Sequence, residues 1–390
     1  MRHRLVMKQQ KKTSYIYKPG SALLIVLFIV MAITLLSLGF LSRSDVELQC
    51  GQNMCLRFQA DYTAESALDY ARDRILNPQD ANSEYWGGAL EKQLVAGEDE
   101  YFDVSVTKLG DYDYRITSEG YRKQASVKTG NSRLEAQLRL DPCIAFWSGG
   151  ITTITGETVI NGDVYCGNNL TIVGVVNGDA FSIGSITGSV MGRKNESCGA
   201  APVSWPGLSI ADYSTSYYYN GGGPYSVKEL SAGIYDNTNP FPGAGMNNPA
   251  CVYYRPGDVT FDDATVINGT LVVSGNLRLG RGVIVTIEPV KNFPALIVGG
   301  EGDFFDRNAS LSVTGLVQVS GNINMNNKSG GIVEINGALC IGGGIVNTSG
   351  CSVTVTSIPN SSAIKTWSGP GSSLKWSAVG GAFFKNIQRW

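Results

Sequence analysis

Acid–base chemistry in this chain would depend on four aspartates, Asp262, Asp263, Asp303 and Asp306. A pair of carboxylates on either side of a sugar ring can cleave a polysaccharide without another catalytic residue type. The only histidine is His3, so the rest of the chain lacks the imidazole on which Ser-His-Asp and Cys-His mechanisms depend. Adjacent acids in glycine-rich turns are usually solvated. We therefore expect no catalytic residue and no enzyme, and a β-helical polysaccharide-active enzyme is the least favoured interpretation.

The eight cysteines of the chain suggest metal binding or disulfide formation. Zinc sites use C-x-x-C pairs or histidine partners, and the sequence has neither, so we predict no metal and no cofactor. An even number of cysteines is typical of an exported, disulfide-bonded protein. The candidate bonds are Cys198 with Cys251 and Cys340 with Cys351. Other pairings stay open because spacing alone does not fix connectivity.

The first element of the chain is an apolar segment, Ser21–Leu41, which contains no charged residue. As a helix rising about 1.5 Å per residue it would be about 30 Å long, which is the thickness of the hydrocarbon core of a bilayer. Residues 1–20 contain arginine and lysine but no acid, so the positive-inside rule places this end in the cytoplasm. A cleaved secretory signal fits less well, because the small-residue junction lies on the cytoplasmic side of the apolar segment.

The junction Lys18-Pro19-Gly20-Ser21 and the sequence GSALLIVL at 20–27 resemble the class III signal of type IV pilins and type II secretion pseudopilins. The similarity to PilX-type minor pilins is the strongest, and it extends to ADYTAESALDYARDRIL at 60–76. It implies a leader at 1–20, cut between Gly20 and Ser21 by a prepilin peptidase, and a long helix over 21–76. The further partners it implies are other pilin-like subunits, the inner-membrane assembly platform and membrane lipid.

Ile25 is the one departure from the pilin pattern that bears on function. Most pilins have a glutamate at this place in the membrane helix, and here it is an isoleucine. The resemblance then implies a minor subunit, at the tip of a filament or priming its assembly. It also implies a single-pass inner-membrane protein whose bulk is periplasmic or at the cell surface.

Residues after the membrane segment predict a pilin-like head. Alanine and leucine recur at helical spacing over 60–75, which gives a narrow apolar stripe on one side of the helix. Alternating apolar and polar residues then follow, with turns at Gly110-Asp111 and Gly130-Asn131. This pattern predicts an antiparallel β meander over 77–141.

Residues 142–390 predict a parallel β-helix. Short aliphatic segments recur behind Asn-Gly or Ser-Gly pairs, as at Asn161-Gly162, Asn177-Gly178, Asn268-Gly269, Ser320-Gly321 and Asn336-Gly337. Such repeats are typical of a β-solenoid, in which each turn buries its aliphatic residues against the next. The segment also resembles the polymer-forming, bactofilin-like β-helices. A β-sandwich with hairpins at the Asn-Gly pairs is the alternative.

The repeats are interrupted at about 192–256 by a loop-rich insertion with many tyrosines. Its aromatic residues could stack on sugars, which makes surface carbohydrate a candidate partner, but packing against the solenoid is the favoured interpretation.

A net charge of −2 gives no basic field for nucleic acid. The predicted fold is thus mainly β behind an N-terminal membrane helix. The predicted function is a structural minor pilin-like subunit, and a membrane-anchored adhesin or scaffold outside any filament is the alternative.

Overall fold

The computed structural model describes residues 19–76, 86–109, 113–124, 127–219, 222–303, 308–324, 330–346, 351–357, 366–368, 374–378 and 382–389. Helix α1 covers Pro19–Leu76, 58 residues. The chain divides into two units, Met1–Gln59 and Ala60–Trp390. In the first unit, the apolar side chains of α1 from Leu23 to Leu41 are exposed, and α1 is long and apolar enough to cross a membrane.

The second unit begins with a head that consists of the end of α1 and an antiparallel sheet. Its first strands are β1 Gly88–Gln93, β2 Glu100–Lys108, β3 Asp113–Gln124 and β4 Val127–Leu140. Ala64, Ala67, Leu68 and Ala71 of α1 are buried among the inward residues of this sheet. Ser118 Oγ donates a hydrogen bond to Ala64 O at 2.9 Å, and the small alanines allow the helix this close approach.

The solenoid follows the head. Its first strands are β5 Ile144–Ser148, β6 Thr152–Ile154, β7 Thr158–Asn161, β8 Asp163–Cys166, β9 Leu170–Ile172, β10 Val175–Val176, β11 Ala180–Ser182, β12 Ile186–Gly188 and β13 Lys194–Asn195. A 3₁₀ helix at Ile210–Tyr213 and a hairpin of β14 Ser216–Tyr219 and β15 Gly222–Ser226 come next.

The chain then forms further turns. Their strands are β16 Lys228–Glu229, β17 Ile234–Tyr235, β18 Val252–Arg255, β19 Val259–Phe261, β20 Thr265–Asn268, β21 Thr270–Val273, β22 Leu277–Leu279, β23 Ile284–Glu288, β24 Leu296–Val298, β25 Gly302–Asp303, β26 Ser310–Val319, β27 Ile323–Asn324, β28 Gly331–Ile341, β29 Ile345–Val346 and β30 Cys351–Thr356. A hairpin of β31 Thr366–Ser368 and β32 Leu374–Ser377 and the last strand, β33 Ala382–Arg389, complete the described chain.

The strands of the solenoid stack in parallel and give it separate faces. Face A has the order β13-β11-β8-β5-β28-β26-β24-β21-β18-β16, with β28 and β26 contributing their C-terminal parts. Face B has the order β10-β7-β30-β28-β26-β23-β20, with the N-terminal parts of β28 and β26. Face C contains β12-β9-β6 and β17-β19-β22-β25-β27-β29. The parallel pairing confirms the predicted solenoid and excludes the sandwich alternative.

Aliphatic residues from all the faces fill the interior of the solenoid. Ile154, Ile160, Val164, Val273 and Leu339 are among its fully buried side chains. At the corner from face B to face A the chain turns at the predicted Asn-Gly pairs. Gly337 has φ +159°, and a Cβ there would lie 2.0 Å from Gly315 O, so this corner requires glycine.

The order of the turns along the solenoid does not follow the order of the sequence. The first turn, which contains β5, lies in the middle, and the chain builds outwards from it to β13 at one end. A segment of residues 196–227, here called the crossover, then connects to β16 at the other end. From there the turns wind back until β28 pairs with β5 and β30 pairs with β7.

The last strand differs from the expectation that the solenoid extends to residue 390. β33 joins the head sheet, whose order is β1-β2-β3-β4-β33, and Ala382 is aligned with Leu140. Arg389 forms an ion pair with Glu65 of α1. The solenoid is therefore an insertion between two neighbouring strands of the head. Sequence periodicity could not predict this, because the pairing joins segments far apart in the chain.

Candidate functional site

The residues of the predicted leader junction lie at the start of α1. Gly20 and Ser21 are in its first turns, and residues 1–18 lie outside the described residues. Ile25 is 58% exposed, like the apolar residues around it. This surface is apolar on all sides of the helix, which is the composition of a lipid-facing or helix-facing segment.

The aspartates with catalytic potential do not form a facing pair among the described residues. Asp262 and Asp263 follow β19, and Asp306 lies outside the described residues. Asp303 is on β25, two strands from β19 and so about 10 Å away. Its carboxylate lies 3.5 Å from the Arg278 guanidinium, an arrangement typical of a stabilising ion pair.

The structure does not bring together the cysteines of the candidate disulfides. None of the eight cysteines forms a disulfide bond in this structure. Cys351 is aligned with Gly331 at the start of β28, whereas Cys340 lies near the end of that strand. Cys198 donates its amide to Ser182 O of β11, and Cys251 precedes β18, seven strands along face A. That separation is about 30 Å, far beyond the 7 Å Cα limit of a disulfide. No group of His, Cys, Asp and Glu with metal-binding geometry occurs in the described part of the chain.

The aromatic residues of the loop-rich insertion pack against the outer side of face A. Tyr213 and Tyr217 are 1% and 0% exposed and belong to a second hydrophobic cluster with Trp147 and Phe293. Trp147 Nε1 donates to Val203 O at 3.1 Å. The crossover thus covers the outside of face A. The packing interpretation describes these tyrosines better than sugar stacking does.

A charged cluster lies on the head sheet. Lys128 Nζ lies 2.8 Å from Asp103 Oδ2 and 3.2 Å from Glu119 Oε2. Burial alone would raise the pKa of Asp103, but hydrogen bonds from Lys128, the Glu91 amide and Tyr121 outweigh burial and hold that pKa below its usual value. One ammonium group thus bridges two carboxylates, an arrangement typical of a stabilising surface network.

Face B is a solenoid surface with exposed outward side chains, among them Val266 and Val175. Its outward residues are aligned in rows across the strands. One row contains Val266, Thr286, Ser312, Glu334, Thr354, Val159 and Val175. At its corner, Asn177 Nδ2 donates to Asn161 Oδ1 at 2.7 Å and Asn161 Nδ2 donates to Thr356 Oγ1 at 3.1 Å. This surface was not predicted from the sequence, although the repeated Asn-Gly pairs fix its register.

No protein-family model and no curated protein matches the chain. The solved structures that are similar to it include an ice-binding protein and a pilin. One is an ice-binding protein from the Antarctic ascomycete Antarctomyces psychrotrophicus, with 18% identity over 57% of this chain and 99% of that chain and a TM-score of 0.30. The other is the competence-associated pilin ComZ from Thermus thermophilus, with 10% identity over 86% of this chain and 97% of that chain and a TM-score of 0.21. At this level of similarity neither bears on the function of the chain.

Proposed function

We propose that this chain is a minor pilin-like subunit of a type IV pilus or a type II secretion-like filament, and that it displays its solenoid outside the cell. One observation carries the proposal. Helix α1 is continuous from an apolar, exposed segment into a segment that packs on the antiparallel head sheet. A helix of this kind anchors a folded head to a membrane or to the core of a filament.

The proposal includes the maturation that the N-terminal resemblance implies. The basic residues of 1–20 hold the N-terminus in the cytoplasm, and a prepilin peptidase cuts between Gly20 and Ser21. Before assembly the protein spans the inner membrane once and contacts lipid, the assembly platform and other pilin-like subunits. It requires no cofactor, catalyses no reaction and does not bind nucleic acid.

Ile25 supports a position at the tip of the filament or in assembly priming. In pilins, the glutamate at this position is thought to pair with the charged N-terminal amine of the subunit ahead. An unpaired charge in apolar surroundings costs several kcal/mol, and a subunit with isoleucine here cannot supply the partner. The first subunit has nothing ahead of it, so it incurs no such cost. The inserted solenoid is also easiest to accommodate where no subunit lies above the head.

Immunogold labelling of the solenoid on intact filaments tests this position. We expect label at one end of each filament, in few copies. The matched variant Ile25→Glu restores the carboxylate, and we expect it to move some of the label along the shaft. Label spread evenly along wild-type filaments would refute the tip position. If the label is confined to the cell envelope and the filaments are unlabelled in both the wild type and Ile25→Glu, the result would favour a membrane-anchored adhesin or scaffold.

A further inference from the structure

The solenoid has an incomplete turn at the end formed by β16 and β17. In the turns that come after β17 in the chain, each strand of face C is followed by a strand of face B. No described strand on face B follows β17 itself. The next turn therefore ends in β20, which pairs with β23 on one side and with no described strand on the other. An open edge of this kind can pair with an added strand.

The backbone geometry of β20 identifies the free groups. Val266 is aligned with Thr286 in a parallel pair, and only one residue of such a pair forms the interstrand hydrogen bonds. Gly269 N donates to Glu288 O at 2.7 Å, so the N–H and C=O of Glu288 and, two residues earlier, those of Thr286 point to β20. The N–H and C=O of Val266 consequently point to the open edge, and its side chain is 67% exposed.

A cavity of about 210 Å³ lies beside this edge. It is lined by Tyr235, Asp236, Pro240, Phe241, Asp263, Ala264, Thr265 and Val266. This volume is below the roughly 300–1,000 Å³ of small-molecule pockets and suits a single large side chain. Tyr235 and Phe241, with ring centroids 5.2 Å apart, give the cavity an aromatic wall.

The charges of the cavity determine which kind of side chain it can bind. Asp236 and Asp263 line it, and none of its lining residues is basic. Asp236 Oδ1 accepts hydrogen bonds from Thr238 Oγ1 and from the amides of Thr238 and Asn239, which lower the pKa of Asp236 and keep it ionised. A side chain with an apolar stem and a cationic end fits both the aromatic wall and the carboxylates.

We propose that the open edge of β20 and its cavity bind an extended segment of a partner protein that adds a strand to face B and inserts an arginine or lysine between Asp236 and Asp263. The partner strand completes the turn that β16 and β17 begin. This inference goes beyond the proposed function and does not depend on filament entry, since an anchored adhesin would present the same edge.

Fluorescence anisotropy with labelled hexapeptides and the detergent-solubilised full chain tests the proposal. The probes are Thr-Val-Arg-Val-Thr-Val and the same peptide with glutamate in place of arginine. We expect saturable binding of the arginine peptide and at least about tenfold weaker binding of the glutamate peptide. Equal affinity for the two peptides, or no saturable binding of either, would overturn the proposal.

Variants separate backbone pairing from charge. Val266→Pro removes the free N–H and breaks no bond between β20 and β23, because proline is tolerated on an open edge; we expect about tenfold weaker binding of the arginine peptide. Val266→Thr keeps the amide and should bind like the wild type. Asp236→Asn with Asp263→Asn should also weaken binding about tenfold, in a variant whose circular dichroism spectrum matches that of the wild type.

Two further results would contradict the proposal. Unchanged binding by a folded Val266→Pro variant would show that the edge of β20 is not used. Wild-type dimers that become monomers in Val266→Pro, measured by light scattering, would assign the edge to a second copy of this chain.

Discussion

Gln318, on the outer side of face A, connects the crossover to the solenoid. Its side chain is 2% exposed. Its Oε1 accepts a hydrogen bond from Leu208 N, and its Nε2 donates one to Leu208 O, both at 3.1 Å. Two backbone groups of the crossover, which are buried here, therefore depend on one side chain.

Gln318→Met should destabilise the protein by about 2–4 kcal/mol, because an unsatisfied buried backbone group costs about 1–3 kcal/mol. Urea unfolding measures the loss, and amide exchange at Leu208 should become faster. The matched control is Gln137→Met, at a half-buried position of the head sheet, which we expect to change stability by less than about 0.5 kcal/mol. An equal loss in the two variants would show that the crossover does not depend on this contact.

At the scale of elements, α1 and the head sheet meet at Gly120. A Cβ at Gly120 would lie 2.3 Å from Ala60 O and 2.4 Å from Ala64 N. Both atoms are backbone, so the helix itself would have to move. Gly120→Ala should therefore cost about 1–3 kcal/mol, as measured by thermal unfolding. Gly87→Ala, where a Cβ meets nothing within 4 Å, is the control, and a Gly120→Ala variant as stable as this control would contradict the packing.

Elements with a local signal were predictable from the sequence. The Asn-Gly pairs mark corners because a side chain at the glycine would collide with the backbone of the neighbouring turn, as at Gly337. The alanine stripe predicted the buried side of α1, because small side chains allow the helix to approach the sheet closely. The place of β33, the central position of β5 and the route of the crossover were not predictable, because they depend on pairings between distant segments, such as Leu140 with Ala382.

At the scale of the whole molecule, we expect the head and the inserted solenoid to fold independently of each other. The solenoid leaves the head after β4 and returns before β33, and Ile144 N donates to Ala378 O at 2.8 Å. Its two connections therefore lie side by side.

Replacing residues 143–378 with a short glycine-serine linker should leave a folded head, because β4 and β33 are already adjacent. Circular dichroism should show helix and strand with a cooperative melt. The fragment 143–378 alone should show strand and almost no helix. A matched head variant that also lacks β33 leaves the edge of β4 open and should melt at lower temperature. An unfolded head in the linker variant would contradict the insertion architecture.

Maturation of this chain as a pilin-like subunit would be visible at the N-terminus of the membrane-extracted protein. Intact-mass and peptide mass spectrometry should find Ser21 as the first residue. Gly20→Phe should accumulate as uncut precursor, whereas the control Ser21→Ala should be cut normally. A mature chain that retains Met1, or that begins beyond Leu41, would contradict the account.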